Sequence, residues 1–244
     1  MNPSPYGWLL LAGVGVSLVL WVRLARRDER LLFIYIAALV GAFIGAKLVY
    51  ILAEGWLDWS QPDRWRRIAT GKTILGGLLG GYASVELAKK FVGYKSATGD
   101  WFALIAPLGI MLGRIGCLLH GCCLGAICQP SWFTVEDRAG VARWPAVPLE
   151  ITFNFCALVT FLILRRARLL PGQHFHLYLI AYGAFRFAHE FVRATPRVIG
   201  PLSGYSIAAL ATMALGTIGF WLRQRKMNHE DAKTSKAETT SCPS

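Results

Sequence analysis

The sequence predicts an all-α polytopic membrane protein, a bundle of about seven transmembrane helices. Hydrophobic residues make up 55% of the 244 residues and charged residues 16%, and the mean hydropathy is +0.44, which is too apolar for an ordinary soluble domain. Apolar runs long enough to cross about 30 Å of hydrocarbon recur along the chain. Lysine and arginine concentrate in alternate connections between these runs, as expected for cytoplasmic loops.

Each apolar run is a predicted membrane span. In chain order the runs lie at 7–23, 31–53, 74–92, 101–119, 147–164, 174–192 and 202–222. The third and fourth are the least distinct, because acidic and basic residues crowd their connection. We expect residues 1–222 to form one transmembrane domain. Residues 223–244 are polar and poor in aromatic residues, which predicts a solvated, disordered cytoplasmic tail.

Basic residues indicate the orientation of the bundle. The more basic set of alternate connections and the tail hold Arg23, Arg26, Arg27, Arg30, Lys89, Lys90, Lys95, Arg165, Arg166, Arg168, Arg223, Arg225, Lys226, Lys233 and Lys236. The N-terminus is therefore predicted outside and the C-terminus in the cytoplasm. The first run is expected to remain as a span, because no base precedes it and no small-residue cleavage site follows. This distribution accounts for most of the formal net charge of +12, so nucleic acid is not an expected partner.

Two arginines lie inside apolar runs, where an unpaired guanidinium is costly to bury. They are Arg114 and Arg186. Guanidinium stays protonated and binds phosphate oxygens in a bidentate manner, so we expect a phospholipid head group as the ligand. Arg114 has no acidic partner three or four residues away. Its partner must come from another helix, a water or a ligand.

Other polar residues map to the same outer half of the predicted bundle. They are Tyr6, Lys47, Glu150 and Glu190, and Arg193 follows at the outer interface. Random placement would scatter them over both leaflets, so the clustering predicts a polar cavity open to the outer leaflet. Two simpler interpretations remain open. Lys47 could extend to the interface, and Arg186, Glu190 and Arg193 could neutralise one another on one helical face.

Glycines repeat at four-residue intervals in several runs, which favours close helix packing in lipid. The segment LGGLLGG at 75–81 begins at the predicted outer end of its helix. Its backbone could therefore also come close to a head group.

The same segments resemble the prolipoprotein diacylglyceryl transferase family, in order over roughly residues 5–222. The resemblance is carried by LGGLLGG at 75–81, GRIGCLLHGCCLG at 113–125, WPAVPLE at 144–150 and YGAFRFAHEFVR at 182–193, with Tyr6-Gly7 and GAFIGAKLVY at 41–50 in support. It implies a bacterial inner-membrane enzyme that faces the outer leaflet. The implied reaction moves diacylglyceryl from phosphatidylglycerol to the lipobox cysteine of a prolipoprotein, forming a thioether and releasing glycerol phosphate.

The resemblance also implies roles for individual residues. Arg114 and Arg186 match functional arginines and would stabilise the departing phosphate. Glu190 would orient Arg186, and Arg193 would contact the phosphate or the incoming peptide. Glu150 would hold one of the arginines. The residues expected to line the substrate site or permit close approach are Tyr6, Lys47, Gly76, Gly77, Gly113, Gly121 and Gly125.

This chain departs from the family pattern at several polar positions. The family's histidine before Gly-Gly is Leu75, and the other replacements are Cys117, His120, Cys122, Ala126, Trp144 and Leu149. An attacking thiol must be deprotonated, so a replacement base is needed unless the thiol arrives as thiolate. We expect His120 either to act as that base or to be a surface histidine.

The cysteines after Arg114 leave several interpretations open. Cys117, Cys122, Cys123 and Cys128 have the spacing C-x4-C-C-x4-C, which fits no zinc pattern, so neither a metal nor another cofactor is predicted. A disulfide among the last three is plausible outside the membrane. A reactive thiol or simple apolar packing are further alternatives.

Three classes of function are compatible with the sequence. The favoured one is the lipoprotein transferase. The second is a related membrane enzyme that uses another acceptor or head group, which the departures would suit. The third is a non-catalytic phospholipid-binding or transport protein, which would need no activated thiol.

Overall fold

The protein is almost entirely helical, as predicted. The computed structural model describes the backbone of residues 5–26 and 28–240. The helices are α1 (Pro5–Ala25), α2 (Arg30–Tyr50), α3 (Arg64–Thr70), α4 (Ile74–Phe91), α5 (Gly99–His120), α6 (Ala146–Arg166), α7 (His174–His189) and α8 (Gly204–Thr240). A π-helical turn, Ile51–Gly55, extends α2, and a 3-10 turn, Glu190–Val192, extends α7.

A helix lies across each of the seven predicted runs, and α3 is an additional short helix between the second and third. Within the described residues, four helical stretches are long and apolar enough to cross a membrane. They are Arg30–Gly55, Gly99–His120, Ala146–Arg166 and Gly204–His229. The number of crossings and the orientation of the termini stay predictions. Many large apolar side chains on the outside of the bundle are exposed, including Phe43, Leu52 and Phe155, as expected of a lipid-facing surface.

The last helix is longer than the sequence indicates. α8 continues to Thr240, through a segment for which the sequence predicts a disordered tail. The segment is rich in lysine, glutamate, arginine and alanine, which are good helix formers and can propagate a helix that already exists. The proposed division of the chain at residue 222 stays a prediction.

Glycines allow two pairs of helices to approach closely. Between α2 and α4, a Cβ on Gly45 would lie well inside van der Waals contact of the Gly76 carbonyl. Between α7 and α8, a Cβ on Gly183 would lie 2.8 Å from the backbone of Met213. The small-residue spacing therefore serves helix packing at these positions.

The main apolar core lies between α4, α5, α6, α7 and α8. Its fully buried members include Leu75, Ala103, Tyr178, Leu179 and Tyr182. A smaller cluster that contains Trp21 and Tyr35 joins α1 to α2 and α5. These contacts hold α5, α6 and α7 together at the level where the charged side chains meet.

The connection between α5 and α6 forms an ordered cap over one end of the bundle. Strands β1 (Val135–Glu136) and β2 (Ala142–Arg143) pair in antiparallel fashion. The Asp137 carboxylate accepts hydrogen bonds from two backbone amides of the turn and from Arg143. An isolated bridge joins Gly125 to Arg193, so this connection also holds the segment after α7 in place.

Replacing Gly45 with alanine should destabilise the protein, because the added methyl group would press on the backbone of α4. We expect a loss of about 1–3 kcal/mol, the usual range for overpacking. Thermal unfolding of the detergent-solubilised protein, followed by tryptophan fluorescence, measures the effect. Gly15→Ala is the matched control: its Cβ would meet nothing within 4 Å, and alanine alone favours helix. Equal melting temperatures for the two variants would contradict the packing account.

Candidate functional site

A cleft of ≈ 2080 Å³ runs along the bundle and brings the predicted charged residues together. Arg114 from α5, Arg186 from α7, and Arg193 after the 3-10 turn all border it. Lys47 of α2 and His120 at the end of α5 border it as well. The two intramembrane arginines therefore share one cavity.

Arg114 is buried, and its partner comes from a neighbouring helix. Its Nη2 lies 2.9 Å from Oε2 of Glu150, which lies on α6 and is fully buried. The Tyr182 hydroxyl donates a 2.6 Å hydrogen bond to the other oxygen of this carboxylate. The carboxylate of Glu150 thus links α5, α6 and α7.

Arg186 is buried against groups at the end of its own helix. Its Nη1 lies 3.1 Å from Oε2 of Glu190 and 3.1 Å from Nδ1 of His189. The Nε2 of His189 lies 2.9 Å from the carbonyl oxygen of Ala146. Because a carbonyl can only accept, His189 is the Nε2–H tautomer when Nδ1 accepts from Arg186. His189 and Glu190 therefore both contact Nη1 of Arg186 and hold that end of the guanidinium in place.

Glu190 is the hub of a second polar cluster. Its carboxylate accepts hydrogen bonds from the hydroxyls of Thr195 and Ser203, the latter at 3.1 Å. Nε of Arg193 lies 4.0 Å from the same carboxylate. The ladder of Arg186, Glu190 and Arg193 suggested by the sequence is therefore present, and it borders the cleft.

The buried cluster carries an excess of positive charge. It contains three guanidinium groups, those of Arg114, Arg186 and Arg193, against the two carboxylates of Glu150 and Glu190. In the part of the chain that the structure describes, the Nε atoms of all three arginines and one terminal nitrogen of Arg193 are buried without a hydrogen-bond partner. Buried donors of this kind are costly unless a ligand or water uses them. The site is thus suited to an anion.

The other predicted site residues fall into two groups. Gly77, Gly113 and Gly121 border the cleft, and a Cβ on Gly113 would meet nothing within 4 Å. Gly76 instead packs against α2, and Gly125 packs against the backbone of Trp144. The structure therefore gives these last two a packing contact and does not place them in the cleft lining.

Lys47 and His120 lie at the rim. Lys47 donates hydrogen bonds to the carbonyls of Ile68 and Ala69, which end α3, so it ties α3 to α2. The side chain of His120 is exposed, and its backbone carbonyl accepts a hydrogen bond from Arg138. The side chain of Tyr6 lies outside the described part of the chain.

Three cysteine thiols gather beside Arg114. The sulfur atoms of Cys117, Cys122 and Cys123 lie within 4.8 Å of one another, and all three thiols are free. The hydrogen bond between the Cys117 and Cys123 thiols, helped by the positive charges of Arg114 and Arg193, lowers the pKa of Cys123 from its ordinary value. Cys128 is also free, so the structure contains no disulfide among the described cysteines.

Sequence reasoning missed Tyr182, His189 and Ser203. The first two carry a readable signal, because they lie four residues before and three residues after Arg186 and so share its helical face. Ser203 precedes α8 and meets Glu190 only through the tertiary fold. No local pattern would have found it.

Removing only one member of the Arg114–Glu150 pair should destabilise the fold strongly. Glu150→Leu leaves a buried guanidinium without its carboxylate, and we expect a loss of about 3–5 kcal/mol. The double variant Arg114→Met with Glu150→Leu should lose less than that single variant. Equilibrium unfolding in detergent measures these two variants and Arg114→Met alone, with the exposed Glu136→Ala as control. Strictly additive losses would mean that the two charges are not coupled.

Comparison with known proteins identifies the family of the chain. Residues 3–222 match the family model for prolipoprotein diacylglyceryl transferase. A phosphatidylglycerol–prolipoprotein diacylglyceryl transferase of Dehalococcoides mccartyi is 30% identical, over 94% of this chain and 92% of the relative. An enzyme of the same name from Gloeobacter violaceus is 30% identical, over 93% of this chain and 91% of its own length. Another, from Pseudoalteromonas atlantica, is 32% identical, over 82% of this chain and 74% of its own length. The chain belongs to the prolipoprotein diacylglyceryl transferase family of membrane transferases.

Proposed function

We propose that this protein transfers the diacylglyceryl group of phosphatidylglycerol to the lipobox cysteine of a secreted prolipoprotein. The observation that carries the proposal is the meeting of Arg114 and Arg186, from separate helices, in one cleft with an excess of positive charge. Membership of the family supports the identity of the two substrates. The active side is proposed to face the outer leaflet of a bacterial inner membrane, in a bundle of seven spans.

The largest change of charge in the reaction is on the leaving group. The acceptor sulfur forms a bond to the glycerol carbon of the lipid while the bond from that carbon to the phosphate oxygen breaks. Negative charge grows on the departing glycerol phosphate. Fixed, buried guanidinium groups stabilise that charge more in the transition state than in the bound lipid, and this lowers the barrier.

Each arginine has a distinct supporting group. Glu150, which accepts a hydrogen bond from Tyr182, holds Arg114, whereas Glu190 and His189 hold Arg186. Because both guanidiniums are fixed before the substrate binds, little reorganisation is needed as the reaction proceeds. Arg193 is less buried and lies near the cap, so we assign it to the lipid phosphate or to the incoming peptide.

A lipid-binding or transport role is the second candidate, and one observation favours it. The cleft continues to the opposite end of the bundle, where its lining includes Glu86 and the basic residues Lys89, Lys90, Lys95 and Arg223. A passage that reaches both ends could move a head group across the membrane. Such a protein would bind phosphatidylglycerol and give no thioether product.

Incubation of the purified protein with phosphatidylglycerol and a lipobox peptide distinguishes these candidates. Mass spectrometry should detect a diacylglyceryl group on the peptide cysteine and none on a peptide whose cysteine is replaced by serine. Lipid binding without the adduct, under conditions in which one of the enzymes from the relatives is active, would favour the second candidate.

Arg114→Ala and Arg186→Ala should each lower the rate of transfer by a factor of about 10²–10³, the usual effect of losing one group that stabilises developing charge. Arg66→Ala is the matched control, because Arg66 lies on α3 and does not border the cleft. The melting temperature of each variant shows whether it is folded. Folded variants that keep the full rate would remove the assigned role of the arginines.

A further inference from the structure

The end of α5 carries three thiols that the proposed roles leave unused. Cys117, Cys122 and Cys123 border the cleft beside Arg114. Their sulfur atoms converge, whereas the free thiols of Cys128 and Cys156 are not part of the group. Thiolate sulfur is a soft metal ligand, so three converging thiols in the wall of the cleft are a candidate metal site.

The backbone at the end of α5 produces this convergence. The amide of Cys122 donates to the carbonyl of Cys117 at 3.1 Å, and the amide of Gly121 donates to that of Leu118 at 3.2 Å. With Gly121 in the left-handed region at φ 67°, this is the Schellman arrangement that reverses the chain at a helix end. The reversal brings Cys122 and Cys123 back over Cys117.

Cys123 has a backbone conformation that residues with a Cβ rarely adopt. Its φ is 61°, in the left-handed region. Such residues persist where the surroundings determine them, and they occur often at ligand-binding clamps. Here the conformation brings Sγ of Cys123 to 3.9 Å from Sγ of Cys117.

The separation of the sulfurs suits one metal ion. Zinc binds thiolate sulfur at about 2.3 Å in tetrahedral geometry, which places neighbouring sulfurs about 3.8 Å apart. The 3.9 Å between Cys117 and Cys123 matches this value, and Cys122 is within 4.8 Å of both. In the described part of the chain no fourth ligand joins the group. Three protein ligands with an open fourth position is the arrangement of catalytic zinc.

The surrounding charge also suits a thiolate-bound metal. Arg114 and Arg193 border the same cleft as the three cysteines. They would repel a bare divalent cation, but three thiolates and one zinc ion together carry a single negative charge. The arginines would stabilise that centre.

We propose that Cys117, Cys122 and Cys123 bind a zinc ion whose open position receives the thiol of the acceptor cysteine. The metal site stands by itself, whereas the role of its open position rests on the proposed function. A thiol that binds zinc loses its proton, here to water in the cleft. The bound sulfur then forms its bond to the lipid carbon, and the phosphate oxygen leaves with the electron pair of the broken bond.

The proposal accounts for a departure from the family pattern. Leu75 lies where the resemblance implies a histidine, and it is fully buried in the core and cannot act on a thiol. Two of the three ligands, Cys117 and Cys122, are themselves replacements in that pattern. A zinc-bound acceptor needs no histidine base. The sequence spacing of the cysteines predicted no metal site, because it does not show that the chain reverses at Gly121 and brings the three sulfur atoms together.

Metal analysis of the full-length protein, purified in detergent without chelator, tests the site. We expect one zinc per chain, lost in Cys122→Ser and in Cys123→Ser and kept in Cys128→Ser and Cys156→Ser. The melting temperature of each cysteine variant is compared with that of the unsubstituted protein after a chelator has removed its zinc. Equal values would show that the variants fold and fail to bind metal. Copper in place of zinc, a disulfide within the group in protein purified under reductant, or no metal would overturn the proposal.

Cobalt substitution tests the open position without any need for turnover. The thiolate-to-cobalt absorption band should increase when a lipobox peptide is added and should not change with the serine peptide. Bound metal with no such increase would overturn the acceptor role and leave only a structural site. An increase without transfer of diacylglyceryl would instead count against the proposed function.

Discussion

The clustering of three arginines, two of them buried, with two buried glutamates is the constraint on which the rest of this structure depends. Charges removed from water must be paired, and each helix that supplies a partner is thereby held in place. Glu150 joins α6 to Arg114 of α5 and to Tyr182 of α7. Glu190 joins the end of α7 to Ser203, which precedes α8. The cluster is thus both a framework for the bundle and the wall of its cleft.

The hydrogen bonding of the cluster is incomplete, and among the described residues Oε2 of Glu150 and Oε2 of Glu190 are buried without a hydrogen-bond partner. Buried N–H groups of the three arginines lack partners in the described structure, and the cluster keeps one excess positive charge. A head-group phosphate would supply both the acceptors and the countercharge. The interactions that stabilise the fold therefore also prepare the site for its anionic substrate, and no separate binding element is needed.

Much of this arrangement could be predicted from the sequence, because a membrane imposes strong rules on a chain. Hydropathy located the helices, and the rarity of charge in hydrocarbon singled out Arg114 and Arg186. The spacing of Arg186 and Glu190 indicated their pairing. The spacing of residues could not identify the partner of Arg114, because α5 and α6 meet only in the folded bundle. The family resemblance implied that Glu150 holds one of the arginines, and the structure pairs it with Arg114. The two interpretations of Lys47, a cavity residue or an interfacial cation, also missed its contacts with α3.

The cysteine cluster shows the limit of spacing arguments. Zinc patterns in sequence assume known loops between ligands, whereas here a helix cap and a left-handed residue bring Cys117 and Cys123 together. For Gly76 the sequence predicted a place at the substrate site, whereas the structure shows a packing contact. Gly76 lies in the segment LGGLLGG, and its contact is with the backbone of α2. Whether a residue binds substrate or packs against a helix depends on which face of the helix meets the cleft.

A structure of the protein with bound phosphatidylglycerol, determined in a lipid environment, tests the central claim most directly. The account predicts the lipid phosphate within hydrogen-bond distance of both Arg114 and Arg186, using the nitrogen atoms that now lack partners. A phosphate bound elsewhere in the cleft, with both guanidiniums contacting only their glutamates, would contradict it.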